Sequence, residues 1–172
     1  MIPRFAYTLS LALIFALPQI GRAAGLRVCA PDQLSLGFDS ENGNFNGMSH
    51  SGTLLVLRNL GPAPCQLPAF PALGFQDESG QALNITAQKT GQKAGTKPPP
   101  RLAVGAEATA ALRWVSAPVF TNGRCLQTAR LTVSWPGGEQ TQPFAVSICG
   151  PGIGPATVTQ APLATDPVLP HG

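Results

Sequence analysis

The sequence predicts an all-β domain held together by disulfides, and three observations lead to this fold class. Glycine (19) and proline (18) are abundant among the 172 residues while charged residues make up only 11%, which favours short elements joined by turns over long helices. Apolar and polar residues alternate over several short segments, as expected of half-buried strands. The four cysteines include no Cys-x-x-Cys pair, so two disulfides are expected rather than a zinc site.

Residues 1–23 have the parts of a secretory signal peptide. Arg4 supplies a basic start, residues 5–17 form an apolar run, and small residues precede a cleavage point after Ala23. The apolar run is shorter than the roughly 20 residues of a bilayer span, so we predict an exported protein, periplasmic or secreted, with no membrane span after cleavage. Without Arg4 and Arg22 the chain has nine basic and eight acidic residues, and this balance gives no general attraction to nucleic acid.

The first strand pair is predicted in the segment that follows the signal peptide. Apolar residues alternate over 34–38, and residues 53–59 are almost continuously apolar, as in a central strand. Residues 40–51 between them are rich in Asn, Gly and Ser, which indicates a loop. A hairpin of these two strands places two cysteines near opposite positions at its far ends, so we predict the disulfide Cys29–Cys65.

Two further strand pairs are predicted in the middle of the chain. Residues 72–77 and 83–87 are expected to form a hairpin around a Glu-Ser-Gly turn. Residues 102–104 and 108–115 are expected to form the next pair around a Gly-Ala-Glu turn. Within the last of these strands Ala110, Leu112 and Trp114 alternate on one face, and Trp114 is predicted to lie in the core.

The last hairpin is predicted around a Pro-Gly-Gly turn. Residues 129–135 and 143–148 each alternate between apolar and polar side chains, and folding them together brings their flanking cysteines close. We therefore predict the second disulfide, Cys125–Cys149. Residues 156–160 are expected to add one short strand, so that the domain spans 24–160.

The end of the chain is rich in proline and small residues. We predict that residues 161–172 form a disordered tail, because termini without an apolar pattern are poorly ordered.

The segment between residues 88 and 100 carries the main electrostatic feature. It is polar and ends in three prolines, which indicates an extended loop. Basic residues recur at every fourth position of this region, and they make up four of the nine expected in the mature chain: Lys89, Lys93, Lys97 and Arg101. Two interpretations stay open, a solvated loop that keeps the protein soluble and a site that binds an anionic partner.

Several of these motifs occur together in a known family. The chain resembles the exported four-cysteine domains catalogued as domain of unknown function 4232, and its most specific match is Asn59 followed by the segment 65–71, Cys-x-Leu-x-x-Phe-Pro. Family members have Tyr where this chain has Phe70. The resemblance implies an immunoglobulin-like antiparallel β-sandwich, often tied to the cell envelope, and it supplies no catalytic residues.

The sequence offers few groups for catalysis or metal binding. Ser49 and His50 are adjacent but lack an orienting third group, so we predict no enzyme and no cofactor, with a hydrolase of unrecognised type as the weaker alternative. A copper site would need Met48 and His50, together with His171, and such scattered ligands do not define a site.

The remaining hypothesis is a non-catalytic binding or structural module of the envelope. Its loops would contact an acidic envelope polymer or an envelope protein, by analogy with other sandwich domains. A periplasmic copper-binding protein is the alternative.

Overall fold

The computed structural model describes residues 26–91 and 98–165. The predicted signal peptide, Lys93, Lys97 and residues 166–172 lie outside these ranges. In the described residues the predicted all-β class is confirmed, with strands taking up 51% and helix 4%. The strands are β1 (Leu34–Asp39), β2 (His50–Asn59), β3 (Cys65–Gln66), β4 (Ala72–Gln76), β5 (Ile85–Lys89), β6 (Arg101–Leu102), β7 (Glu107–Val115), β8 (Arg124–Gln127), β9 (Arg130–Trp135), β10 (Gly138–Pro143), β11 (Ser147–Gly150), β12 (Ala156–Gln160) and β13 (Ala164–Thr165). Two 3-10 turns, Pro31–Gln33 and Glu41–Gly43, flank β1.

The larger sheet is built around β7. Every second side chain of this strand is buried, because one face of the strand covers the core: Ala108, Ala110, Leu112 and Trp114. One edge of β7 pairs antiparallel with β2 over its whole length. The other edge is shared in succession by β13, β12 and β11. Strand β1 extends the sheet beyond β2, β8 extends it beyond β11, and β5 pairs with β12 in parallel.

A second, three-stranded sheet has the order β10-β9-β4, and a small ladder joins β3 to β6. Buried side chains of the two larger sheets form one core cluster. Phe144 joins the sheets at its centre, since its ring lies 4.8 Å from that of Phe38 in β1 and 6.2 Å from that of Phe75 in β4. The ring of Trp114 meets Phe144 edge-on at 5.6 Å, so the tryptophan is in the core as predicted.

Both predicted disulfides are confirmed. Cys29 and Cys65 are joined with a Cα–Cα distance of 4.9 Å, and β1 and β2 form the predicted hairpin between them. Cys125 and Cys149 are directly opposite each other in β8 and β11, with a Cα–Cα distance of 3.9 Å. The immunoglobulin-like topology implied by the resemblance stays a prediction.

The other three predicted strand pairings are wrong, although most of the strands exist. Strand β4 pairs with β9, and β5 pairs with β12, so the segments 72–77 and 83–87 separate after a single bridge between Gln76 and Ala82. Likewise β6 pairs with β3, and β7 pairs with β2. A tight turn brings two segments close, but each strand pairs where its apolar face is covered, and that partner is distant in the sequence.

The hairpin predicted from residues 129–135 and 143–148 is also replaced. Strand β9 pairs with the polar segment β10, where the Thr132 and Thr141 hydroxyls are 2.7 Å apart. This segment shows no apolar alternation because its side chains are mostly polar and alternate between exposed and half-buried positions at the edge of its sheet, and the sequence pattern therefore missed it. After β10 the chain returns to the larger sheet, and this return brings Cys149 to Cys125.

The domain continues past residue 160. The predicted strand 156–160 is confirmed as β12, but the expectation of disorder is wrong for residues 161–165. Leu163 is 1% exposed and its N–H donates a 2.7 Å hydrogen bond to the Ala69 carbonyl, while Ala164 and Thr165 pair with β7. One apolar side chain that fills the core fixes this stretch despite its prolines. Within the described residues no helix combines the length and apolar character needed to cross a bilayer.

Candidate functional site

Two of the four predicted basic residues lie in the described ranges, and both are at strand ends. Lys89 is the last residue of β5 and Arg101 is the first residue of β6. Lys93 and Lys97 fall in the connection between these strands, outside the described residues. Both described side chains are exposed.

The position of Lys89 is fixed by an aromatic ring and by a buried glutamine. Its ammonium nitrogen lies 5.4 Å from the centroid of the Phe70 ring, a cation–π distance. Gln160 pairs with Lys89 in the β5–β12 ladder and is 1% exposed. The Gln160 Nε2 group donates a 3.0 Å hydrogen bond to the Pro71 carbonyl, so one side chain holds the strand of Lys89 beside the segment of Phe70. This contact uses the face of the ring, so it does not require the hydroxyl that a tyrosine would supply.

Arg101 lies in a small ladder that also carries Arg27. Arg101 pairs with Gln66 of β3, and the Gln66 N–H donates a 3.0 Å hydrogen bond to the Arg27 carbonyl. Gln66 therefore lies between two exposed arginines. Sequence reasoning missed Arg27. The predicted disulfide Cys29–Cys65 implies that residue 27 lies near residue 66. No pattern in the sequence, however, predicts that residue 66 pairs with residue 101.

Hydrogen bonds from the side chain of a buried asparagine join this ladder to the larger sheet. Asn59, the last residue of β2, is fully buried, and its Nδ2 donates to the Ala63 carbonyl at 2.9 Å and to the Leu102 carbonyl at 3.2 Å. Its Oδ1 accepts the Gly61 N–H at 3.0 Å. Such a satisfied polar group gives a physical reason for asparagine at this position of the family-specific segment.

Arg27 and Arg101 therefore lie together at one end of the domain, which we call the basic end, and the connection that begins at Lys89 leads to it. At this end β2 finishes and β7 begins, whereas β5 and β12 finish opposite Leu112, further along β7. An open cavity of about 600 Å³ separates residues 98–101 from residues 163–165 here, and each wall borders a range that is not described.

The candidate catalytic residues and copper ligands that the structure describes lie at the start of β2, opposite the basic end. Ser49 Oγ is 3.1 Å from His50 Nδ1, and both residues are at the surface. Met48 is fully exposed, and His171 is outside the described residues. In residues 26–91 and 98–165 no group of three or more His, Cys, Asp or Glu side chains is placed to hold a metal ion. Among the described residues, no hydrogen bond joins a third side chain to Ser49 and His50.

These features define a class of protein: a disulfide-linked β domain with a cationic end held by buried amide side chains. The chain belongs to the family described as domain of unknown function (DUF4232), whose model matches residues 29–168. The match begins at the first disulfide cysteine and includes the final strand, β13. No curated protein matches the chain, and no solved structure does.

Proposed function

We propose that this protein is an exported, non-catalytic binding module of the cell envelope, and that its basic end binds an acidic partner such as a polyanionic envelope polymer. The observation that carries this proposal is the placement of Arg27 and Arg101 on either side of Gln66, where the basic connection that begins at Lys89 ends. Arg27, Lys89 and Arg101 are exposed on backbone that is held by ladder pairing or backbone hydrogen bonds.

Export is supported by the cysteines. All four cysteines are in disulfides, and such bonds persist mainly in oxidising compartments outside the cytoplasm. The predicted signal peptide before residue 24 leads to the same compartment.

An acidic partner is supported by the local charges. The ion pair found among the described residues, Arg58 with Glu107, does not involve Arg27, Lys89 or Arg101. Lys93 and Lys97 add two positive charges to the same connection in the sequence. Separate cations at a surface attract a polyanion over a Debye length of about 10 Å, and added salt weakens that attraction.

The test is binding of the exported protein to isolated cell envelopes. Reversal of all four predicted charges, Lys89→Glu, Lys93→Glu, Lys97→Glu and Arg101→Glu together, should abolish salt-sensitive binding because it replaces attraction with repulsion. Unchanged binding by this variant would contradict the proposal.

Single substitutions give a matched comparison. Arg101→Glu and Arg130→Glu make the same change in formal charge at the first, exposed residue of a strand, β6 and β9 respectively. Of these two variants, only Arg101→Glu should weaken envelope binding, because Arg130 lies at the end of β9 away from Trp135 and Cys29. Arg27→Glu should behave like Arg101→Glu, because both flank Gln66.

A further inference from the structure

Four of the seven large apolar side chains that are exposed among the described residues lie at the end of the domain opposite the basic end, and the other three, Val28, Leu60 and Val104, lie near the basic end. The four at the opposite end project from three loops: Met48, Val119, Phe120 and Ile153. The loops connect the strands at the start of β2, the end of β7 and the start of β12. We call this surface the apolar end. Since β2 runs from one end to the other, about 30 Å separates the two ends at a strand rise of about 3.4 Å per residue.

Hydrogen bonds from Arg124 and a close contact with a neighbouring loop fix the position of the loop that carries Ile153. The guanidinium of Arg124 donates hydrogen bonds to the carbonyls on both sides of Ile153, at 3.3 Å to Gly152 and 2.9 Å to Gly154. A Cβ on Gly152 would lie only 2.2 Å from the Asn122 carbonyl oxygen, so this loop fits tightly against the loop of Val119 and Phe120. The Ile153 side chain is nevertheless 93% exposed.

Met48 is presented in a similar way. The Gly47 N–H donates a 2.9 Å hydrogen bond to the His50 carbonyl and closes a turn that has Met48 at its tip. The Ser116 N–H donates a 2.8 Å hydrogen bond to the Ser49 carbonyl, which ties this turn to the neighbouring loop. Met48 is therefore fully exposed on a fixed turn.

The surroundings of these side chains are uncharged. Residues 44–49, 116–123 and 151–155 contain no Asp, Glu, Lys or Arg. The loop before β2 does contain Glu41, which lies in the 3-10 turn at its start. The guanidinium of Arg124 contacts the backbone on both sides of Ile153 and adds a positive charge next to this loop.

From this arrangement we propose that the apolar end inserts into the interface of a lipid bilayer. Water-exposed apolar side chains on rigid loops are costly unless a partner covers them. The tips project separately, and a bilayer interface accepts projecting side chains without a matching groove in the partner. Binding of this kind grows with the buried apolar area, and nearby cations such as Arg124 favour anionic lipids. The domain would then rest on a membrane by one end and present its basic end to a polymer.

This inference concerns a different surface from the proposed function, so the two can fail separately. The test uses the exported protein, with mass spectrometry verifying that the apolar leader 5–17 is absent. Its sedimentation is measured with vesicles of phosphatidylcholine alone and of phosphatidylcholine with phosphatidylglycerol. The wild type should partition to both, more strongly to the anionic vesicles. The four-charge reversal at the basic end should still bind the zwitterionic vesicles.

The central variant is Met48→Ser with Ile153→Ser. Its partitioning should fall by about tenfold or more, because two apolar side chains no longer leave water. The matched control is Leu60→Ser with Val104→Ser, which removes two exposed apolar side chains at the basic end and should bind like the wild type. Equal urea midpoints for both variants and the wild type establish that folding is unchanged.

A second measurement locates the contact. Phe120→Trp places an indole at the apolar end, and lipids with brominated acyl chains should quench its fluorescence. Absent vesicle binding by the wild type, an equal loss in the control, or an unquenched indole would each overturn the proposal. Capture of an envelope protein by these tips, without vesicle binding, would overturn it in favour of a protein partner.

Discussion

The indole N–H of Trp135 donates a 2.7 Å hydrogen bond to the carbonyl oxygen of Cys29, a residue 106 positions earlier in the chain. Trp135 ends β9 of the three-stranded sheet, and Cys29 begins the segment that leads to β1 of the larger sheet. Both residues are buried. The bond therefore joins the two sheets at the Cys29–Cys65 disulfide.

We expect Trp135→Phe to lower the free energy of unfolding by about 1–3 kcal/mol more than the removed ring alone would, because the buried Cys29 carbonyl loses its donor. The matched control is Trp114→Phe. Trp114 is equally a core residue, but its Nε1 has no hydrogen-bond partner among the described residues. Urea unfolding of both variants measures the difference. Equal losses would show that the hydrogen bond to Cys29 contributes nothing to stability.

The same contact predicts a strict requirement for glycine at position 137. A Cβ there would lie 2.2 Å from the Cys29 carbonyl oxygen and 2.9 Å from Trp135 Nε1. Gly137→Ala must therefore displace backbone, and we expect a loss of about 1–3 kcal/mol in the free energy of unfolding. Gly37→Ala is the control, because no heavy atom lies within 4 Å of its added Cβ. A thermal midpoint unchanged in Gly137→Ala would contradict the close approach.

Local features of the fold could be predicted from the sequence, while the distant pairings could not. The alternation in 34–38 and 53–59 identified β1 and β2, since both strands have a buried face and a short connection. The edge strand β10 escaped detection because its exposed and half-buried Glu, Gln and Thr side chains show no apolar period. In the parallel pairing of β5 with β12, Val158 is buried in the core. No turn or residue spacing in the sequence predicts this pairing.

The candidate site shows the same division. Lys89 and Arg101 were visible as members of a charge pattern, but Arg27 joins Arg101 only through the pairing of Gln66 with two different segments. The apolar end was not predicted at all. Met48 and Ile153 are isolated apolar residues in Gly-rich loops, and only the fold shows that both loops contact the segment 116–123.

The two disulfides are expected to contribute comparable stability. They close loops with sequence separations of 36 and 24 residues, for which chain-entropy estimates give about 3.5–4 kcal/mol each. Replacing either pair by serines should lower the urea midpoint by similar amounts. A much larger loss for the Cys29–Cys65 pair would mean that the reduced protein also loses the nearby Trp135 hydrogen bond, which the Trp135→Phe variant can test independently.

The last prediction concerns the turn after β4. Asp77 Oδ1 accepts hydrogen bonds from Ser79 Oγ at 2.6 Å and from the Gln81 N–H at 2.9 Å, and these bonds hold the pKa of Asp77 below its usual value. Since the folded state favours the ionised carboxylate, Asp77 stabilises the fold at pH values above its ordinary pKa near 4, and this contribution disappears as the pH falls through the lowered pKa. The hydroxyl of Ser79 is the largest cause, so Ser79→Ala should raise the pKa of Asp77 towards the ordinary value. A carboxyl carbon NMR titration of the wild type and this variant measures the change, and identical titration midpoints would refute the assigned cause.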